Sequence, residues 1–166
     1  MVKLKNIVFI LDFDGVLFDT SLESFYVMNE TQRKGSISKE TIINQKKYSK
    51  FIELRPFVTS AWQYYWVYKY TQLKGDDSNY EYYTTEKLFD KNKEAEEFEK
   101  NFLLNRKALS KKNYFNRPVS APYKFWNMLL PLIKLHPERF LILSTKDEES
   151  ILNTINTSVK DFSFDK

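Results

Sequence analysis

The fold is set near the start of the chain by residues 7–20, which read Ile7-Val8-Phe9-Ile10-Leu11-Asp12-Phe13-Asp14-Gly15-Val16-Leu17-Phe18-Asp19-Thr20. The run opens with apolar residues that do not alternate with polar ones, a pattern typical of a parallel strand covered on both faces. Two carboxylates, Asp12 and Asp14, follow directly. Ligands of open α/β sheets bind beyond the carboxyl ends of the strands, so we expect both carboxylates to lie at a ligand site.

The spacing of these two carboxylates has functional and structural interpretations. Alternate side chains of an extended segment share a face, so Asp12 and Asp14 can point the same way. A close pair of carboxylates suits Mg²⁺, which takes oxygen ligands, and it also suits a nucleophile beside a general acid/base. The structural alternative is an ordinary acidic turn, because Asp and Gly15 are common turn residues.

Residues 10–20 resemble the first motif of the haloacid dehalogenase-like (HAD) phosphohydrolase superfamily. Their Gly-Val-Leu-x-Asp-Thr ending is similar to the phosphoglycolate phosphatase-like branch. The resemblance implies that Asp12 is a nucleophile that forms an aspartyl-phosphate and that Asp14 is the general acid/base. It also implies that Asp12 and Asp14 bind a Mg²⁺ cofactor and that the substrate is a small phosphorylated metabolite.

A second apolar run, at residues 140–143, predicts another fully buried parallel strand, and it ends in hydroxyl residues. Thr145 and Glu148 form a capping box that predicts a following helix. A hydroxyl in this position can bind phosphate, although Ser144 and Thr145 could instead compete to cap the helix. The segment resembles the second motif of the superfamily, which implies a phosphate contact from Ser144, with Thr145 as the alternative. Lys146 is a candidate for the phosphate-binding lysine by its position in sequence only.

The long segment between the two apolar runs contains no convincing strand. Thr20 and Glu23 form a capping box that predicts a helix at its start, and the aromatic residues of 58–73 are predicted to be buried between helices. The pattern and the resemblance together predict an α/β fold. Its Rossmann-like, HAD-like parallel-sheet core comprises residues 1–19 and 118–166, and an all-helical C1-type cap comprises residues 20–117. Such caps close over the site and select the substrate.

The predicted core is incomplete. In the superfamily a lysine and a further pair of acids follow the second motif. Here residues 159–166 contain Asp161 and Asp165 without an apolar strand before them. We therefore expect a fragment, a degenerate member, or a core that a second chain completes, because a sheet of two strands leaves an exposed hydrophobic edge.

Composition narrows the class of protein. The chain has no cysteine, so disulfides and cysteine metal sites are excluded, and its apolar content of 42% favours a folded domain. No signal peptide and no membrane-length apolar run is present, which predicts a cytoplasmic protein without a membrane partner. The net charge of +4 is spread along the chain and argues against a nucleic-acid groove.

The sequence thus supports two functional hypotheses. The first is a Mg²⁺-dependent phosphomonoester hydrolase, provided that the missing motifs are supplied. The alternative is a truncated or degenerate HAD-like module without catalysis, which binds phosphate or a protein partner. The identity of the substrate does not follow from either hypothesis.

Overall fold

The computed structural model describes residues 7–32, 45–73, 79–111 and 120–158. These residues are mostly helical, with two small two-stranded sheets, one of which is parallel. The chain divides into two compact units, the first made of Met1–Leu22 with Arg117–Lys166 and the second of Glu23–Asn116. The assignment of a core role and a cap role to the two parts of the chain stays a prediction.

The strands and helices follow one another in the order β1 (Phe9–Leu11), β2 (Phe18–Asp19), α1 (Ser21–Gln32), α2 (Gln45–Leu54), α3 (Tyr64–Gln72), α4 (Tyr80–Thr85), α5 (Lys93–Lys111), β3 (Ala121–Pro122), α6 (Lys124–Leu135), β4 (Phe140–Ile142) and α7 (Glu148–Ser158). None of the helices in the described ranges is both long enough and apolar enough to cross a membrane.

The parallel sheet of the first unit joins segments from opposite ends of the chain. Strand β1 pairs with β4, so that Phe9 lies opposite Phe140 and Leu11 lies opposite Ile142. The rings of Phe9 and Phe140 stack with centroids 5.3 Å apart. Leu11, Phe140 and Ile142 pack against the buried side chains of α6 and α7, among them Trp126. One face of the sheet therefore contributes to the core of this unit.

The other face of this sheet is exposed, which contradicts the prediction of strands buried on both sides. Val8 and Ile10 are 58% and 62% exposed, and Leu141 and Leu143 are 53% and 65% exposed. We call these four side chains the outer face. The prediction was wrong because the two helices that contact the sheet, α6 and α7, both pack against its opposite face. An uninterrupted run of apolar residues indicates that both faces of a strand would be more stable when packed against other elements. It does not show that the chain supplies an element for each face.

The first predicted capping box, Thr20 with Glu23, is not formed. Helix α1 begins at Ser21, but the buried hydroxyl of Thr20 has no hydrogen-bond partner among the described residues. The backbone N–H of Ser21 instead donates to Oδ1 of Asp19, at 2.9 Å. The acceptor at the start of the helix therefore comes from the residue before the predicted cap.

The second predicted capping box, Thr145 with Glu148, is also wrong. Helix α7 begins at Glu148, and its cap is Asp147. Oδ1 of Asp147 accepts the backbone N–H of Ser150 at 3.0 Å, and Oδ2 accepts the Ser150 hydroxyl at 2.8 Å. Thr145 is exposed. Asp is as good a cap as Thr, and its place immediately before the first helical residue decides between them.

Replacing Asp147 with alanine is expected to lower the free energy of unfolding of the first unit by about 0.5–2 kcal/mol, because the first turn of α7 loses its side-chain acceptor. Urea denaturation followed by far-ultraviolet circular dichroism would measure the change. Thr145→Ala is the matched control, and we expect it to have little effect. A larger loss from Thr145→Ala than from Asp147→Ala would restore the cap predicted from sequence.

The second unit is a helical domain with an aromatic core. The predicted burial of the aromatic segment is confirmed for Tyr64, Tyr65 and Tyr70, which are at most 6% exposed. The Tyr64 ring stacks on that of Phe102 with centroids 4.9 Å apart. Two effects raise the pKa of Tyr65 to about 12. The larger is burial of the phenol, and the smaller is the hydrogen bond that its hydroxyl donates to the Glu94 carboxylate. These aromatic residues stabilise the interior of the unit rather than present a ligand surface.

Candidate active site

The turn after β1 is fixed by backbone geometry. Gly15 has a φ of +84°, a conformation that residues with a Cβ adopt only with strain. Its N–H donates to the carbonyl of Phe18 at 2.8 Å. The N–H groups of Leu17 and Phe18 both donate to the carbonyl of Phe13, at 3.1 and 3.0 Å. The chain therefore turns tightly just after the second carboxylate.

Phe13, which lies between the two carboxylates, anchors this turn in the core. Its side chain is fully buried and stacks on Phe18 with centroids 4.8 Å apart. Phe18 in turn packs against Trp126 at 5.3 Å. Asp12 is exposed, and its Oδ1 accepts the backbone N–H of Phe13 at 2.8 Å. The buried ring thus holds an exposed carboxylate at the end of β1.

Asp14 forms an ion pair with a buried lysine. Its Oδ1 lies 3.9 Å from Nζ of Lys146, whose side chain has no exposed surface, whereas that of Asp14 is 16% exposed. The Lys146 ammonium also lies 5.6 Å from the centre of the Phe13 ring. The Asp14 oxygen is buried and accepts no hydrogen bond from the described residues. Because little water screens this pair, the attraction between the two charges is stronger than in an ion pair at the protein surface.

The loop after β4 turns Lys146 inward. The half-buried Ser144 hydroxyl oxygen accepts the backbone N–H of Lys146 at 3.1 Å. Ser144 therefore shapes the backbone from which the lysine extends, in addition to its predicted phosphate contact.

Pairing of the strand ends brings the two predicted motifs to one edge of the sheet. The N–H of Leu143 donates to the carbonyl of Leu11 at 2.9 Å, and Asp12 and Ser144 are the next residues along each strand. Lys146 is linked to both Asp14 and Ser144. Within the described part of the chain, neither Asp12 nor Thr145 forms a hydrogen bond or ion pair with another candidate residue.

A cavity that the sequence reasoning missed adjoins this edge. It has a volume of about 410 Å³ and lies among β4, α6 and α7, with Ser144 and Lys146 in its lining. The apolar periodicity of the two helices was visible in the sequence. Which of those side chains leave a space between them depends on packing across the unit and has no local sequence signal.

Two carboxylates are the metal-ligating groups available here. The described ranges contain no group of three or more histidine, cysteine, aspartate or glutamate side chains that could hold a metal ion. Asp161 and Asp165 lie outside those ranges. Mg²⁺ sites in proteins commonly use one or two carboxylates with substrate phosphate and water, so Asp12 and Asp14 are of the residue type that such an ion takes as ligands. Oδ1 of Asp14 is buried and faces the Lys146 ammonium.

No protein-family model matches this chain, and no curated protein or solved structure matches it either. What the chain does must therefore be inferred from the residues at the carboxyl ends of β1 and β4, because a fold alone does not determine an activity.

Proposed function

We propose that this chain is a phosphomonoester hydrolase that acts through an aspartyl-phosphate, with an incomplete HAD-like core in its first unit. The observation that carries the proposal is the ion pair of Asp14 with the enclosed Lys146, beside the exposed Asp12 at the end of β1. A nucleophile, an acid/base and a cation would then lie at one edge of a parallel sheet. The resemblance of residues 10–20 to the first HAD motif supports the same roles.

The reaction has two steps. A carboxylate oxygen of Asp12 attacks phosphorus, the bond from phosphorus to the ester oxygen breaks, and the leaving alcohol takes a proton from Asp14. A water molecule then attacks the aspartyl-phosphate and gives its proton to Asp14. The bond between phosphorus and the Asp12 oxygen breaks, which releases inorganic phosphate and restores both carboxyl groups.

Lys146 and Ser144 would bind the phosphoryl oxygens. Phosphoryl transfer spreads negative charge over these oxygens, and positioned cations and donors stabilise it. The Lys146 ammonium is enclosed, so its charge acts in surroundings less polar than water. The exposure of Asp12 leaves the nucleophile open to an incoming ester.

The proposed cofactor is Mg²⁺, which Asp12 and Asp14 would hold. When bound it neutralises charge on the phosphate.

Hydrolysis of p-nitrophenyl phosphate tests the proposal. We expect the purified chain to release p-nitrophenol in the presence of Mg²⁺ and to lose most of this activity in EDTA, with recovery when Mg²⁺ is restored. Production of inorganic phosphate in equal amount would identify hydrolysis of the ester. A folded protein without measurable turnover at any Mg²⁺ concentration would contradict the proposed enzyme.

The second candidate is a non-catalytic module that binds phosphate or a protein partner, including a second chain that completes the core. Two observations favour it, namely the lack of a three-ligand metal cluster in the described ranges and the exposed outer face of the sheet. Calorimetric binding of inorganic phosphate by a chain that hydrolyses no ester would support this candidate over the first.

A further inference from the structure

The cavity beside the proposed active site has the size and lining of a small-molecule site. Its volume of about 410 Å³ falls within the usual range for such sites. Apart from three polar residues, Ser144, Lys146 and Glu148, the lining is apolar. The walls include the fully buried Trp126 and Ile155, the half-buried Phe140, and Ile151 and Leu152 of α7.

The three polar residues of the lining differ in their exposure to solvent. Ser144 and Lys146 follow β4, and they are the same residues to which the phosphoryl group is assigned. Lys146 is buried, whereas Glu148 is exposed, so water and salt screen the glutamate charge more than the lysine charge. The cavity therefore joins the Ser144 hydroxyl and the ion pair of Lys146 with Asp14 to an apolar interior, an arrangement that suits a molecule with a polar head and an apolar body.

We propose that the cavity holds the organic group of the substrate and that this group is aromatic, so that the substrate is an aryl or arylalkyl monophosphate. The inference rests on the proposed function, because it places the phosphoryl group at Ser144 and Lys146. A flat ring would contact the half-buried Phe140 side chain, and aromatic pairs add stabilisation beyond the area that they bury.

The same lining disfavours sugar phosphates. A hydroxyl buried without a hydrogen-bond partner is costly, and the walls formed by Ile151, Leu152 and Ile155 supply no side-chain donor or acceptor. A sugar would bring several such hydroxyls into the cavity, whereas an aromatic ring brings none. The preference should therefore be visible in both binding and turnover.

Binding can be measured without turnover by using phosphonates, whose carbon–phosphorus bond is not hydrolysed. By calorimetry we expect 1-naphthylmethylphosphonate to bind at least about 100-fold more tightly than methylphosphonate, since each carbon added in an apolar pocket improves affinity. Leu152→Trp, which fills the cavity, should weaken the naphthyl ligand about tenfold or more. Leu135→Trp is the matched control, because this helical leucine is 70% exposed and does not line the cavity.

The outcomes separate the two proposals. The cavity assignment is supported if the preference for the naphthyl ligand is lost in Leu152→Trp and kept in Leu135→Trp. If the wild type shows this preference but hydrolyses no ester, the proposed phosphatase is contradicted and the cavity assignment stands. Hydrolysis of 1-naphthyl phosphate and glycerol 1-phosphate with similar kcat/KM, together with equal phosphonate affinities, overturns the aromatic specificity and leaves the phosphatase standing. If Leu152→Trp lacks a cooperative thermal transition, Ile151→Phe replaces it, and an unchanged naphthyl affinity in that folded variant overturns the assignment.

Discussion

Asp12→Asn is expected to lower the rate of p-nitrophenyl phosphate hydrolysis by about a thousandfold or more, because the neutral amide cannot form the aspartyl-phosphate. The melting temperature should stay close to that of the wild type, since Asp12 is exposed and its carboxylate accepts one backbone hydrogen bond from the residues that the structure describes. Initial rates at saturating Mg²⁺ and thermal melts on the same preparations would measure both quantities.

The matched control is Asp90→Asn, which makes the same chemical change at an exposed carboxylate in the second unit. We expect its hydrolysis rate to equal that of the wild type. A variant at Asp12 that keeps a substantial part of the wild-type rate would remove the nucleophile from its assigned position. Acid quenching followed by phosphate-specific staining should detect a covalent phosphoenzyme in the wild type and in Asp90→Asn, but not in Asp12→Asn.

Trp126→Ala is expected to destabilise the first unit by about 3–5 kcal/mol, the usual cost of truncating a large core aromatic residue. The Trp126 side chain is fully buried and packs against Phe18, so alanine would leave a large void beside the turn that presents the carboxylates. Urea denaturation followed by far-ultraviolet circular dichroism would report the loss. Activity should fall with it, because Phe13 and Phe18 would lose their support.

The control for this variant lies on the same helix. Met128 is 73% exposed, and we expect Met128→Ala to change the free energy of unfolding by no more than about 0.5 kcal/mol. Equal losses from Trp126→Ala and Met128→Ala would contradict the assignment of the inward and outward faces of α6.

The parallel pairing of residues near 10 and 140 could be predicted because both runs carry an unambiguous signal in a few consecutive residues. Asp12 and Ser144 could be assigned to the ends of their strands for the same reason. The exposure of the side chains on the outer face of the sheet could not be predicted from a few consecutive residues. Ile10 and Leu141 look like core residues, but their burial depends on elements elsewhere in the chain, and in the described ranges those elements cover only the opposite face.

Competition among nearby residues explains the remaining errors. Ser144, Thr145 and Asp147 can all cap a helix, and the start of α7 selects Asp147. Lys146 was a candidate by position in sequence, whereas its approach to Asp14 joins residues from distant parts of the chain. Propensity rules evaluate such residues one at a time, so they cannot choose among neighbours that satisfy the same rule.

The pairing of Phe9 with Phe140 has a consequence for how the protein folds. During synthesis, β1 leaves the ribosome early, and it cannot pair until β4 has been made. Its apolar side chains therefore stay unpaired with β4 until then. Contacts between such distant residues form slowly, because a long loop must close first, whereas helices such as α5 form from local contacts. The first unit should therefore fold last, and the rate of β1–β4 pairing should limit the appearance of activity after refolding.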